Sequence, residues 1–287
     1  MKAERAQLNC ECRGAYLKTA FTYDRPPSGE IRFDATASAY HREFLRCGLC
    51  GHFCGSHSMD LAGLYSGDYV SSTYGTAMRA AYERILALPP SRSDNSGRVE
   101  RVRAFAAARW GESRPRPAIL DVGSGLCVFL ARMHAAGWIC TALDPDERAV
   151  EHARGVVGID AVCADFQIGP DLGSFDVVTF NKVLEHVPDP VGMLERAARY
   201  LRPGGFVYLE VPDGDAAAAE GQGREEFFID HWHVFSPASV ALLVRTAGLS
   251  PIAIERLREP STKFTLRAFA ELASRTEPPV DGERTNG

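Results

Sequence analysis

Hydrophobic positions change their spacing near residue 115, and the change divides the chain. From Ala118 onward, short continuous apolar runs alternate with segments whose apolar residues recur every three or four positions. That alternation is the pattern of βαβ units, with a parallel sheet covered by helices on both faces. The pattern predicts strands over 118–123, 139–144, 160–165, 175–181, 205–212, 250–258 and 263–270, the first of them a continuous apolar run of the kind a buried parallel strand shows. Helical spacing covers Leu126 to Ala136, ending at Gly137. A helix over 190–201 starts behind Asp189 with Pro190 at its first position, and one over 237–247 has Ser236 as cap and Gly248 as stop. The expected fold class is therefore α/β, a seven-stranded, mostly parallel Rossmann-like sheet.

The sequence before residue 115 is less regular. Thr76 to Leu88 and Gly97 to Trp110 read as two helices split by the breaker Pro89-Pro90-Ser91-Arg92-Ser93-Asp94-Asn95. Residues 58–76 carry Tyr65, Tyr69 and Tyr74 among glycines and serines, a composition that suits either a lid or aromatic packing on the main domain. The expected organisation is a cysteine-rich segment over 1–60, a helical cover over 61–114, a cofactor-binding domain over 115–273, and a disordered tail over 274–287 rich in Pro, Glu, Arg and Gly.

The first predicted strand of the domain, Ala118 to Val122, runs into Gly123-Ser124-Gly125 and then a helix. Glycines at that junction let the backbone turn sharply and approach a ligand, and the helix start offers unpaired N–H groups. The dinucleotide fingerprint G-x-G-x-x-G is not met, because Val128 holds the third glycine's place. In an open parallel sheet, ligands bind beyond the carboxyl ends of the strands, so the polar residues there are the candidates. The second strand ends at Asp144, 23 residues after Asp121, where a carboxylate can accept from both hydroxyls of a ribose. The third ends at Asp165-Phe166, a carboxylate and an aromatic suited to a base. The fourth delivers Asn181, followed by Glu185-His186.

Composition narrows the partners. With 45% hydrophobic residues the chain can form a sizeable core. Its net charge of −5 argues against a partner bound through phosphate neutralisation, so no nucleic acid is expected. The opening Met1-Lys2-Ala3-Glu4-Arg5 leads into polar sequence and no apolar run approaches about 18 residues. We expect a cytoplasmic protein without a membrane partner, whose cysteines are thiols or metal ligands. Five of the eight cysteines fall within the first 54 residues. Cys47 and Cys50 form a C-x-x-C knuckle that, with Cys10 and Cys12, would complete a four-sulfur structural zinc site. Cys54 or His52 could replace Cys12, and unrelated reduced cysteines are the alternative to metal.

The run Asp121-Val122-Gly123-Ser124-Gly125-Leu126-Cys127 resembles the first motif of class I S-adenosylmethionine (SAM) dependent methyltransferases, with Cys127 where that family has its third glycine. The other strand ends, and Leu201-Arg202-Pro203-Gly204-Gly205 before the fifth strand, resemble the family's further motifs over about residues 115 to 270. Small-molecule members of the sugar, natural-product and ubiquinone-biosynthesis kind carry a similar cysteine-bearing N-terminal segment. The resemblance implies a terminal antiparallel hairpin in the sheet and SAM as cofactor. It also implies site roles for Asp121, Gly123 and Gly125 at the methionine moiety, Asp144 at the ribose, Asp165 and Phe166 at the adenine, and Asn181 at the mouth.

The expected reaction is methyl transfer to a small-molecule acceptor, most readily a hydroxyl of a sugar, glycan or secondary metabolite. Nitrogen or carbon acceptors, or a binding module without activity, are the alternatives. Hydroxyl methylation needs a base, and imidazole suits neutral pH. The candidates are His186, His231 and His233, the last two on the long connection Asp213 to Val234. A metal triad of Asp230, His231 and His233 is disfavoured because neighbouring positions alternate in direction.

Overall fold

The structure is a computed structural model, which describes residue 10 and residues 15–30, 40–57, 59 and 78–273. Cys12, the tyrosines of the candidate lid and the 274–287 tail lie outside the described residues. The larger sheet contains β4 (Ala118–Val122), β5 (Ile139–Asp144), β6 (Asp160–Cys163), β7 (Phe175–Asn181), β8 (Leu201–Pro212), β10 (Leu249–Arg258) and β11 (Phe264–Leu272). Its order is β10-β11-β8-β7-β4-β5-β6. The β4–β5, β4–β7, β5–β6 and β7–β8 pairs are parallel, while β11 runs antiparallel to both β10 and β8. The seven-stranded sheet and its terminal hairpin are therefore as expected. All five residues of β4 are buried, as a central parallel strand with helices on both faces requires.

The helices are α1 (Met78–Leu86), α2 (Asp94–Trp110), α3 (Val128–Ala135), α4 (Glu147–His152), α5 (Pro190–Arg199), α6 (Gly214–Glu220) and α7 (Pro237–Thr246). Three boundaries depart from the sequence reading. Helix α2 starts at Asp94 rather than Gly97, because Ser93 caps it by accepting from the Ser96 N–H; residues read as a breaker are a cap and a first turn. Strand β8 starts at Leu201, with a register shift before Val177–Phe206, so the Arg202-Pro203-Gly204 turn is an irregular lead-in to the strand. A Cβ at Gly205 would come within 2.7 Å of the Asp176 carbonyl, which explains the glycine there. The long connection after β8 is not an open loop: Asp213 caps α6 and also binds Arg256 at 2.6 Å.

That connection ends in β9 (His233–Val234), which joins a second sheet. Its other strands are β1 (Leu17–Tyr23), β2 (Arg42–Cys47) and β3 (Phe53–His57), in the order β1-β2-β3-β9. The N-terminal sheet has a core of its own, built from Tyr23, Phe44 and Phe53 together with Ala217, Phe227 and Val234 of the connection. A buried ion pair locks the same seam. Arg42 donates to Glu30 Oε1 at 2.6 Å, and that oxygen also accepts from the Ile229 N–H at 2.8 Å. The Arg42 guanidinium stacks 3.8 Å from the Tyr23 ring centroid.

Removing one partner of a buried pair leaves the other charge uncompensated. Glu30→Ala is expected to lower the unfolding free energy by about 3–5 kcal/mol in urea titrations, with Glu30→Gln costing less. An unchanged midpoint for Glu30→Ala would show that the pair does not hold the seam.

Candidate active site

The site is built on the turn between β4 and α3. Gly123, Gly125 and Cys127 all adopt left-handed backbone, with φ of 70°, 49° and 55°. Gly123 and Ser124 donate to the Leu143 carbonyl at 2.8 and 3.2 Å, which draws the turn over the end of β5. A Cβ on Gly123 would strike Val183 at 2.7 Å, whereas a Cβ on Gly125 would meet nothing within 4 Å. Gly123 is thus required for packing, and Gly125 leaves a concavity open above the turn.

Asp121 is buried beneath that turn, with 2% of its surface exposed. Its register partner on β7 is Thr179, whose hydroxyl donates to Oδ1 at 2.6 Å, and Asn181 Nδ2 donates to the same oxygen at 2.7 Å. Burial raises its pKa to about 6, against the lowering effect of those two hydrogen bonds. Asn181 is therefore oriented by Asp121, and its Oδ1 is buried with no hydrogen-bond partner among the described residues. Thr179 was not picked out from the sequence. The signal was a polar residue between Val178 and Phe180 in the run Phe175 to Asn181, on the same strand face as Asn181.

Asp144 accepts from the Gly125 N–H and the Asp146 N–H, both at 2.9 Å. Its carboxylate thus sits against the turn, and burial raises its pKa. Asp165 is exposed and caps a short turn by accepting from the Gln167 N–H at 2.8 Å. Phe166 departs from its expected role. Its ring is buried with Phe180 and Tyr200, at centroid distances of 5.8 and 5.5 Å, and so supports the strand ends from within the core instead of facing a base.

The candidate bases separate into two places. His186 Nδ1 faces the Asp230 carbonyl at 2.9 Å and His231 Nδ1 faces the Glu226 carbonyl at 2.8 Å. A carbonyl only accepts, so each Nδ1 carries the proton and each neutral ring keeps its lone pair on Nε2. The two rings meet edge to face at 4.8 Å, and Glu185 brings a carboxylate oxygen within 4.8 Å of a nitrogen of each. Glu185 Oε2 is buried without a hydrogen-bond partner among the described residues. Burial lowers the His231 pKa although Asp230 opposes it. This cluster can hold a proton or a cation.

His233 is elsewhere and is withdrawn as a base. It is buried against His52, with Nδ1 3.2 Å from His52 Nε2 and Nε2 3.4 Å from the Pro188 carbonyl. Burial takes its pKa down to about 4. Asp230 and His231 consequently do not share a metal site with it. Cys10, Cys47 and Cys50 bring their sulfurs within 4.8 Å of one another, while His52 and Cys54, the substitutes considered for Cys12, group with His233.

A doubly wound sheet with this glycine turn, acidic strand ends and a site at their carboxyl edge defines a class I SAM-dependent methyltransferase. Residues 91–254 match a family model described as a methyltransferase domain, and the chain belongs to that family. It is 31% identical over 160 residues to the ubiquinone biosynthesis O-methyltransferase of Thiobacillus denitrificans, covering 49% of this chain and 69% of the relative. The enzyme of that name from Xanthomonas campestris pv. campestris is 33% identical over 190 residues, covering 60% and 77%.

Among solved structures, Burkholderia thailandensis 1,6-didemethyltoxoflavin-N1-methyltransferase aligns with a TM-score of 0.53 at 20% identity, covering 85% of this chain and 99% of that one. Magnesium protoporphyrin IX methyltransferase from Synechocystis PCC 6803 aligns with a TM-score of 0.54 at 14% identity, covering 72% and 100%. Both contain bound S-adenosylhomocysteine. These two share the fold.

The residues present fit SAM: an open left-handed turn, an inward amide oxygen on Asn181 without a partner, and carboxylates at the strand ends. Gly125→Ala should cost about 1 kcal/mol of stability from its left-handed φ while weakening SAM by at least about tenfold in calorimetric titration. Gly123→Ala, which must also displace Val183, should cost more stability, about 1–3 kcal/mol beyond the backbone term. Equal SAM affinity in wild type and Gly125→Ala would show that the cofactor does not use the turn.

Proposed function

We propose that this methyltransferase acts on a hydroxyl of a small molecule and that His186 is the base. The observation carrying the proposal is the contact of His186 Nδ1 with the Asp230 carbonyl, which sets the neutral ring's lone pair on Nε2, in a residue five positions past the strand that ends in Asn181. When bound, SAM supplies a methyl group already activated on a sulfonium, so the protein's task is alignment and proton removal. In this reading Asp144 holds the ribose, Asp165 lies at the adenine, and Gly123, Gly125, Asp121 and Asn181 line the methionine end. His186 Nε2 takes the acceptor's hydroxyl proton, and His231 is the second candidate for that step. The carboxylates of Glu185 and Asp230 lie beside it.

Relatives named as O-methyltransferases favour oxygen over nitrogen, whereas the fold is shared with the N1-methyltransferase and does not discriminate. Sugar, glycan and secondary-metabolite hydroxyls are the acceptors to screen first. We further read the protein as cytoplasmic and independent of nucleic acid and membrane; no helix among the described residues is long and apolar enough to cross a membrane. Residues 115–273 form the cofactor unit of this reading, with 61–114 as its cover.

The test is methyl-labelled SAM with a panel of acceptors. His186→Ala should cut turnover by about 10²–10⁴ with SAM affinity nearly unchanged. Asp144→Ala should weaken SAM by roughly 1.5–3 kcal/mol. If both His186→Ala and His231→Ala turn over normally while chemistry limits the rate, a histidine base is wrong and a nitrogen acceptor becomes the first choice.

We also propose a structural zinc at Cys10, Cys47 and Cys50, with Cys12 as fourth ligand. Cys10 and Cys47 sulfurs are 3.9 Å apart, near the roughly 3.8 Å expected for two thiolates at about 2.3 Å from a tetrahedral zinc. The Leu49 and Cys50 N–H groups point at the Cys47 sulfur at 3.4 and 3.5 Å, as a knuckle around a thiolate would. Elemental analysis should find zinc that is lost in Cys47→Ser while SAM binding persists. Full metal content in Cys47→Ser would reject this site.

A further inference from the structure

A second group of ligand-type side chains belongs neither to the glycine turn nor to the Cys10 cluster. His52 immediately precedes β3 and Cys54 is the strand's second residue, directly opposite His233 in the β3–β9 register. Period-two alternation therefore puts all three on one face of the sheet. One ligand atom from each lies within 4.8 Å of the others.

The hydrogen bonds around the two rings allow a pair of tautomers with no proton between them. His233 Nε2 faces the Pro188 carbonyl, which only accepts, so the neutral ring carries its proton there and its lone pair on Nδ1. His52 Nδ1 faces Ser239 Oγ at 3.3 Å. That hydroxyl gives its own hydrogen to the Ser236 carbonyl at 3.1 Å while accepting from the Ser236 N–H at 2.9 Å. With its hydrogen on the Ser236 carbonyl, Ser239 Oγ can accept from His52 Nδ1–H, the tautomer that leaves the His52 lone pair on Nε2. In that tautomer two imidazole lone pairs face each other across 3.2 Å, beside a thiol, and a cation turns the arrangement into a ligand set. Two imidazole nitrogens at about 2.0–2.1 Å from a tetrahedral zinc stand roughly 3.3 Å apart, close to the separation here.

We propose that His52 Nε2, His233 Nδ1 and Cys54 Sγ form a transition-metal site, suited to zinc, that ties the N-terminal sheet to the connection following β8. Imidazole and thiolate are the donors zinc favours, and each histidine's other nitrogen is already oriented by a second partner. Binding forms one metal–sulfur bond and two metal–nitrogen bonds, and the thiol proton passes to solvent. A water completes the four-coordinate shell. The ion staples β3 to β9 and so fixes the connection that carries His231. The inference stands apart from the reading of the acceptor and from the Cys10 cluster.

The test is titration of the metal-free, full-length protein with Co²⁺, following thiolate-to-cobalt and ligand-field absorption. Cys54→Ser and His52→Gln should each lose one bound ion per chain relative to wild type, or bind it at least 100-fold more weakly, whatever the Cys10 cluster holds. Circular dichroism checks that the variants are folded. Nitrogen-15 histidine spectra of the wild type provide a readout that needs no variant: zinc should shift Nε2 of one ring and Nδ1 of the other. Equal ion counts and identical spectra in wild type and Cys54→Ser would overturn the proposal. So would a proton shared between His52 and His233 that persists when zinc is added.

Discussion

The carboxylate of Asp121 is the constraint from which the site follows. A charged or protonated carboxyl buried at the end of a central strand is costly unless its oxygens are bonded. The β4–β7 register puts Thr179 directly beside it and Asn181 one step along the same face. With Oδ1 occupied by both donors, Asn181 cannot rotate freely, and its own oxygen is buried without a hydrogen-bond partner among the described residues. The turn above follows from the same register, because Gly123 must pass Val183, which follows Asn181 by two residues, with no room for a side chain. The geometry of the candidate site is thus set first by two adjacent strands.

The second organising feature is the seam between the two sheets. The connection between β8 and α7 is caught on both sides: Asp213 on Arg256, Glu226 on the Phe264 N–H, Ile229 on Glu30, and His233 on His52. A segment so placed brings His231 to His186 with its tautomer already set by a backbone carbonyl. Preorganisation of that kind lowers what must be ordered during catalysis. It also means that the N-terminal sheet, remote in sequence, helps to hold the segment that carries His231.

Much of this was legible in the amino-acid order. Apolar runs located the central strands of the larger sheet because burial on both faces demands hydrophobic sequence, as in β4, whereas the edge strand β10 is largely half-buried and mixed in polarity. The turn was legible because only a few residue types tolerate left-handed backbone, and the sequence places glycines at two of its three such positions. What was misread had a local signal that tertiary contacts outweighed. Ser93-Asp94-Asn95 has the composition of a breaker and serves as a helix cap and first turn; Phe166 follows a site carboxylate yet packs inward on Tyr200.

The sequence by itself therefore determined the sheet, the cofactor turn and the acidic strand ends, since each rests on periodicity or on backbone conformations that particular residues permit. Only the tertiary structure decided which histidines meet. His231 and His233 are separated by one residue, yet one faces His186 and the other faces His52. That division depends on β9 pairing with β3, a contact spanning nearly 180 residues that no local pattern encodes. The same pairing brings Cys54 opposite His233 and removes His52 from the Cys47 knuckle beside it in sequence. Long-range strand register, set by how the two sheets bury their apolar faces together, is the physical reason these assignments could not be read from the chain alone.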